Sequence, residues 1–164
     1  MIKSCIIGAT GRLGDAVCIA LMEHLIVKPD DVITPINYLV FAHRYRGEDN
    51  YYEEIDVNLH EIVRRINRTK WESGDRGIVI VSSVCATDPV VDQSLSYNIS
   101  KAAQLQVARY FAKTLKNVRC NTVSPAAFTG MNPKVSIQQV ASVIGFLCSP
   151  ESSGINGQDL RVTG

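Results

Sequence analysis

Tyr97 and Lys101 stand four residues apart at the head of an apolar-periodic helix. At that spacing two side chains lie one turn apart on one helix face. A free phenol has a pKa of about 10, so only about a thousandth of it is ionised at pH 7. An ammonium within roughly 4 to 6 Å favours the phenolate and can lower that value by about 1 to 3 units. Such a pair is a general acid and base near neutrality. The same spacing also suits a surface lysine beside a half-buried tyrosine, so its meaning depends on the rest of the chain.

Two further groups could act on the same atom. The β-branched run Gly77-Ile78-Val79-Ile80-Val81 ends in Ser82-Ser83, and such runs are typical of strands buried in a parallel sheet. Reduction of a carbonyl places hydride on carbon and a proton on oxygen, so two hydrogen-bond donors must converge on one oxygen. Ser83 and Tyr97 are candidate donors, and the carboxyl edge of a parallel sheet is where such a crevice forms. The plainer reading is that Ser83 caps a turn and Asn58 satisfies backbone groups.

The elements that position these residues are legible in order. Ile2 to Ile7 is an apolar strand that runs into Gly8-Ala9-Thr10-Gly11-Arg12-Leu13-Gly14 and then a helix. Glycines let the backbone turn and approach a pyrophosphate, and the helix N-terminus presents free N–H groups to it. Arg12 either reaches an adenosine 2′-phosphate or is solvated. The helix Asp15 to Leu25 contains the apolar run Ala16 to Met22, which expects cover on every side. Ile26 to Pro35 reads as a connector, Asn37 to Ala42 as a strand, and Asn50 to Lys70 as a helix with Ile55, Leu59, Ile62, Val63 and Ile66 on one stripe. The Tyr97 helix continues through Leu105, Ala108, Phe111 and Leu115. Val118 to Val123 is a strand, Ser136 and Gln139 make a capping box for a helix reaching Cys148, and Gln158 to Thr163 is a last strand. Alternating strands and helices mean an α/β fold with a doubly wound parallel sheet.

With 164 residues the chain is expected to be one domain, and 17 Lys and Arg against 16 Asp and Glu give no basic surface for nucleic acid or membrane. The five cysteines have no C-x-x-C pair, which predicts reduced thiols in a cytoplasmic protein and calls for no metal. No apolar run approaches a membrane span, and no signal peptide is expected.

Gly8-x-x-Gly11-x-x-Gly14, Asn58 in Asp-Val-Asn-Leu, Ser82-Ser83, Tyr97-x-x-x-Lys101 and Asn121-x-x-Ser124-Pro125 occur in one order, followed by Gly157-Gln158-Asp159-Leu160-Arg161-Val162. Over nearly its whole length the chain resembles the short-chain dehydrogenase/reductase family. The resemblance implies a Rossmann-like domain and an NADP- or NAD-dependent oxidoreductase that interconverts a carbonyl and an alcohol. Tyr97 would be the proton donor or acceptor, and Ser83, or less readily Ser82, would bind the substrate oxygen. Lys101 would lower the tyrosine pKa and hold the nicotinamide ribose, and Asn58 would keep a water in the proton relay. The cofactor would lie along Gly8, Thr10, Gly11, Arg12, Leu13, Gly14, Ala42, Tyr97, Lys101, Pro125 and Thr129, with Arg12 tipping the choice toward NADP.

The departures from the family pattern carry their own expectations. About ten residues replace two βα units between the glycine turn and the strand at Asn37, too few for even one such unit. The expected order, in the family's labels, is 1-4-5-6-7, with the first strand at an exposed edge and a homo-oligomer, dimer or tetramer, covering it. Asp30 and Asp31 fall where a ribose-binding acid would, although Pro29 fits a solvated turn. Val40-Phe41-Ala42-His43 replaces Asn-Asn-Ala-Gly, Ala126 replaces a glycine, and the segment from Pro125 to Ser136 is short where a substrate lid would lie. His43, Arg44 and Arg46 follow a strand's carboxyl end; they either bind a substrate carboxylate or phosphate or form a solvated loop paired with Glu48 and Asp49. Two functional classes remain open: a minimal oxidoreductase on a small carbonyl or alcohol, and a non-catalytic relative that uses its sheet for binding or assembly.

Overall fold

Gly77–Val81 is buried at every position, and so is Tyr38–Phe41, as β-branched and aromatic runs require when both faces of a parallel sheet are covered. The computed structural model describes residues 1–27, 34–48, 50–128 and 133–164. Among these described residues six parallel strands, β1 (Lys3–Ile7), β2 (Leu25–Val27), β3 (Tyr38–Phe41), β4 (Gly77–Val81), β5 (Arg119–Pro125) and β6 (Asp159–Val162), lie in the order β2-β1-β3-β4-β5-β6.

Successive side chains leave a strand on opposite faces, and the register keeps the two sets separate: Ile6 pairs with Val40 and Val40 with Val79, while Ile7 pairs with Phe41 and Phe41 with Ile80. On one face Ile6, Val40, Val79 and Val123 pack under α1 (Arg12–Ala20) and α5 (Ile137–Leu147) through Leu13, Val17, Val140 and Ile144. On the other, Ile7, Leu39, Phe41, Ile78 and Ile80 pack under α3 (Glu61–Arg68) and α4 (Leu95–Thr114) through Ile62, Ile66, Ala108 and Phe111. The capping box of Ser136 and Gln139 starts α5.

The expected five-strand order is present, with one addition. Leu25–Val27 pairs with β1 on its outer side, Lys3 to Leu25 and Cys5 to Val27, so β2 and not β1 is the edge. A strand of three residues, paired through its backbone with β1, is too short to show an alternating pattern in the sequence. Helix α1 is also shorter than expected and is open on one side, with Ile19 and Met22 exposed. The sheet and α5 cover its other side.

The amino end of the sheet is closed by Arg119, whose buried guanidinium donates to the Leu147 and Ser149 carbonyls, to Ser152 and to Asp75. The Tyr38 hydroxyl donates to the same Asp75 carboxylate. The carboxyl end carries the glycine turn. Gly8 has φ +91°, and a Cβ on Gly14 would fall 2.0 Å from the Gly8 carbonyl oxygen. Gly14→Ala is therefore expected to cost at least about 2 kcal/mol, while Gly154→Ala, with nothing within 4 Å of the added carbon, is expected to stay within about 0.5 kcal/mol of wild type. Urea unfolding of both variants checks the contrast.

Candidate active site

The order β2-β1-β3 makes the gap between β1 and β3 the point where the winding reverses, and crevices form outside the carboxyl ends of the strands at that point. The glycine turn leaves β1 there, and Ala42-His43-Arg44 leaves β3. The two are in contact, since a Cβ on Gly8 would sit 2.9 Å from the His43 nitrogen. Gly11 is the N-cap of α1 in extended backbone, and no side chain caps that helix. Thr10 and Arg12 are exposed, and Leu13 sends its side chain into the core.

Strand β4 delivers Ser82 and Ser83 to the same edge with different tasks. The Ser82 hydroxyl donates to the Lys101 backbone carbonyl at 2.9 Å and so binds α4 to the sheet. Ser83 lies beside the Tyr97 phenol, close enough to act against the rise of its pKa. Its Oγ also lies 2.9 Å from Cys85 Sγ and accepts from the Cys85 N–H. The structure thus brings Ser83, and not Ser82, to the tyrosine.

Lys101 is 3% exposed. Its ammonium donates to the Val81 carbonyl at 2.9 Å and reaches Gln104 Oε1 at 3.4 Å; Nζ stands 5.6 Å from the centre of the Tyr97 ring. Burial pushes the Lys101 pKa down to about 8, with nearby Arg44 adding to the effect and Cys85 and Glu54 opposing it. The Tyr97 phenol is pushed up by burial; hydrogen bonds from Ser83 and Arg44 and the charge of Arg44 act against that rise. The expected lowering by Lys101 is thus overturned: burial prevails, the opposing charge is that of Arg44, and Tyr97 carries its proton at neutral pH.

Asn58 is fully buried in a π turn, Asp56–His60, between α2 (Tyr51–Ile55) and α3. Such insertions recur at functional sites. Asn58 Oδ1 accepts from the Tyr45 N–H at 2.8 Å, and Nδ2 donates to Ser100 Oγ at 3.3 Å. Its backbone carbonyl accepts from Gln104 Nε2 at 2.6 Å. Gln104 is one residue that sequence reasoning missed. The signal was present: a polar residue within the stripe of Leu105, Ala108 and Phe111. Glu54 was missed for a similar reason. It is a buried acid on α2 that accepts from the Ser94 hydroxyl at 2.6 Å and from the Ser96 hydroxyl, tying α2 to the start of α4.

The basic cluster divides. Arg44 is exposed and turned to the phenol, whereas the His43 ring is packed inward with Nε2 3.0 Å from the Val57 carbonyl. Arg46 is exposed. Ala42 is half-buried and Pro125 buried at the ends of β3 and β5. Asn121 and Ser124 hold the last strand, through the Ile155 carbonyl and Asp159 respectively. Asp30, Asp31 and Thr129 lie outside the described residues.

Residues 47–133 match the family described as enoyl-(acyl carrier protein) reductase, and the chain is 32% identical over 110 residues to human dehydrogenase/reductase SDR family member 2, mitochondrial, covering 53% of this chain and 39% of that protein. The chain belongs to the short-chain dehydrogenase/reductase family. It spans well under half the length of that human relative. Its fold is similar to a short-chain dehydrogenase/reductase, glucose/ribitol dehydrogenase, of Brucella melitensis (TM-score 0.81, 19% identity, 98% of this chain and 94% of that one). It is also similar to the aldohexose dehydrogenase of Thermoplasma acidophilum (TM-score 0.80, 22% identity, 98% and 92%). Among the described residues no helix of this family member is long and apolar enough to cross a membrane.

The buried ammonium has a measurable signature. Between pH 8 and about 10.5 the unfolded chain holds more protons at Lys101 than the folded one, so this group's penalty to folding shrinks as pH rises through that window. Lys101→Met is expected to be more stable than wild type at pH 7, by up to roughly 3 kcal/mol, and to lose that advantage as pH approaches 10.5. Urea unfolding of both proteins across pH 7 to 10.5 reads the difference.

Proposed function

We propose that this protein is an NAD(P)-dependent oxidoreductase that interconverts a carbonyl and an alcohol. The observation that carries the reading is a half-buried Tyr97 beside Ser83 and Arg44 at the carboxyl edge of β4, its ring centre 5.6 Å from the buried Lys101 ammonium. The glycine turn fits a dinucleotide phosphate, because a Cβ at Gly8 or Gly14 would strike backbone and the first turn of α1 has no side-chain cap.

Gly8, Thr10, Gly11, Arg12, Leu13 and Gly14 would hold the phosphates, with Ala42, Lys101, Pro125 and Thr129 along the remainder. An exposed Arg12 at the first position of α1 favours NADP over NAD. When bound, the cofactor supplies the hydride. Ser83 would donate a hydrogen bond to the substrate oxygen, Tyr97 would deliver or withdraw its proton, and Lys101 would keep a positive charge beside the phenol as that proton moves. Asn58 would fix the backbone that faces Lys101. Arg44 would bind a carboxylate or phosphate carried by the substrate, with Arg46 nearby. Among the described residues Arg44 forms no ion pair that would compete. His43, turned toward Val57, would support the loop.

A homo-oligomer would cover the short edge β2 and the exposed Ile19, Met22 and Leu25. One observation favours a second reading, in which the chain binds or assembles without turnover. The adenosine side of the sheet ends in a strand of three residues, Leu25–Val27, where a longer sheet would grip the cofactor.

Fluorescence titration with NADPH and NADH separates the two readings. Binding of at least one cofactor is expected, with NADPH the tighter, and absence of binding at millimolar concentration overturns the oxidoreductase. Tyr97→Phe is expected to lower kcat by about 10² to 10⁴ while leaving cofactor affinity near wild type. Arg44→Ala is expected to raise KM about tenfold or more for an acidic carbonyl substrate, consistent with loss of a charge-assisted hydrogen bond, and to leave KM for its neutral amide nearly unchanged.

A further inference from the structure

Gln104 is 1% exposed and sits one helical turn beyond Lys101. Its Nε2 donates to the Asn58 carbonyl at 2.6 Å, and its Oε1 faces the Lys101 ammonium at 3.4 Å. The orientation of this amide is fixed by chemistry. Reversed, it would set an NH₂ against an ammonium and an oxygen against a carbonyl, leaving two buried mismatches. The carboxamide spans the ammonium and the Asn58 backbone directly.

We propose that Gln104 is a positioning residue for Lys101, joining its ammonium to the π turn at Asn58 and setting both its direction and its proton affinity. An ammonium has three donors; with one on Val81 and one directed at Gln104, the third is left for the site. The inference deepens the oxidoreductase reading, because it concerns the cation beneath the proposed acid. The other charged or titratable groups near Lys101 are Arg44 and His43 after β3, Cys85 after β4, Glu54 on α2 and Tyr97 on its own helix. Glu54 is occupied by Ser94 and Ser96. Gln104 therefore supplies a direct side-chain acceptor that can be altered without changing any of those groups.

The test is NMR of protein labelled at the lysine Cε and Nζ, with Lys101 assigned by its loss in Lys101→Arg, titrated from pH 6 to 11 without cofactor. Gln104→Leu removes an acceptor and is expected to lower the Lys101 midpoint. Gln104→Glu adds a negative charge and is expected to raise it by one unit or more. If Gln104→Glu fails to fold, the comparison is made with Gln104→Leu and Gln104→Met. Folded variants that keep the wild-type midpoint overturn the proposal. A second readout is the pH profile of kcat, whose midpoints are expected to move in the same order as the NMR values. Should the NMR midpoints move while wild type binds neither NADPH nor NADH, the positioning role stands and the oxidoreductase reading falls.

Discussion

An ammonium held out of water is costly, and the arrangement of helix α4 on the sheet satisfies it. Lys101 is buried between the end of β4 and the π turn at Asn58, with the Val81 carbonyl on one side and the Gln104 amide on the other. Burial of a charge is tolerated when its donors are met. Ser82 strengthens the arrangement by donating to the Lys101 backbone carbonyl from the strand that also supplies the Val81 acceptor. Strand and helix are locked at one level, and Tyr97, a turn earlier on α4, is set at the mouth beside Ser83.

The remainder of the fold brings a second component to that mouth. Parallel strands align their carboxyl ends, so the glycine turn after β1, Arg44 after β3 and Ser83 after β4 share one edge. The opposite edge is closed by Arg119 and its carbonyl and carboxylate partners. One end of the sheet is thus consumed by structure, while the other keeps an uncapped helix N-terminus and a protonated phenol accessible. Arg44 faces the phenol, and the same guanidinium holds down the proton affinity of Lys101.

Much of this was legible in the sequence, and the reasons differ by element. Strand runs such as Gly77–Val81 and the capping box at Ser136 announce themselves through composition and spacing, because burial and local hydrogen bonding select those residues. The co-location of Gly8, Ser83 and Tyr97 was legible through motifs whose order matched a known family. β2 was not, since three residues are too few to show a strand's periodicity, and Leu25 is half exposed. The Ala16 to Met22 run misled for a related reason: an apolar sequence states what a helix can bury, whereas the neighbours present decide what it does bury. The division of labour between Ser82 and Ser83, the inward turn of His43 and the bridge made by Gln104 depend on side-chain direction across elements far apart in sequence. No local periodicity encodes that.

The buried lysine has a functional meaning if the phenol above it faces a dinucleotide lying along the glycine turn. A crystal structure of the protein grown with NADPH tests this most directly. The pyrophosphate is expected on the Gly8–Gly14 turn and the nicotinamide against Tyr97, with Lys101 Nζ directed to its ribose. A dinucleotide seated elsewhere, or a Tyr97 turned away from the bound ring, would contradict it.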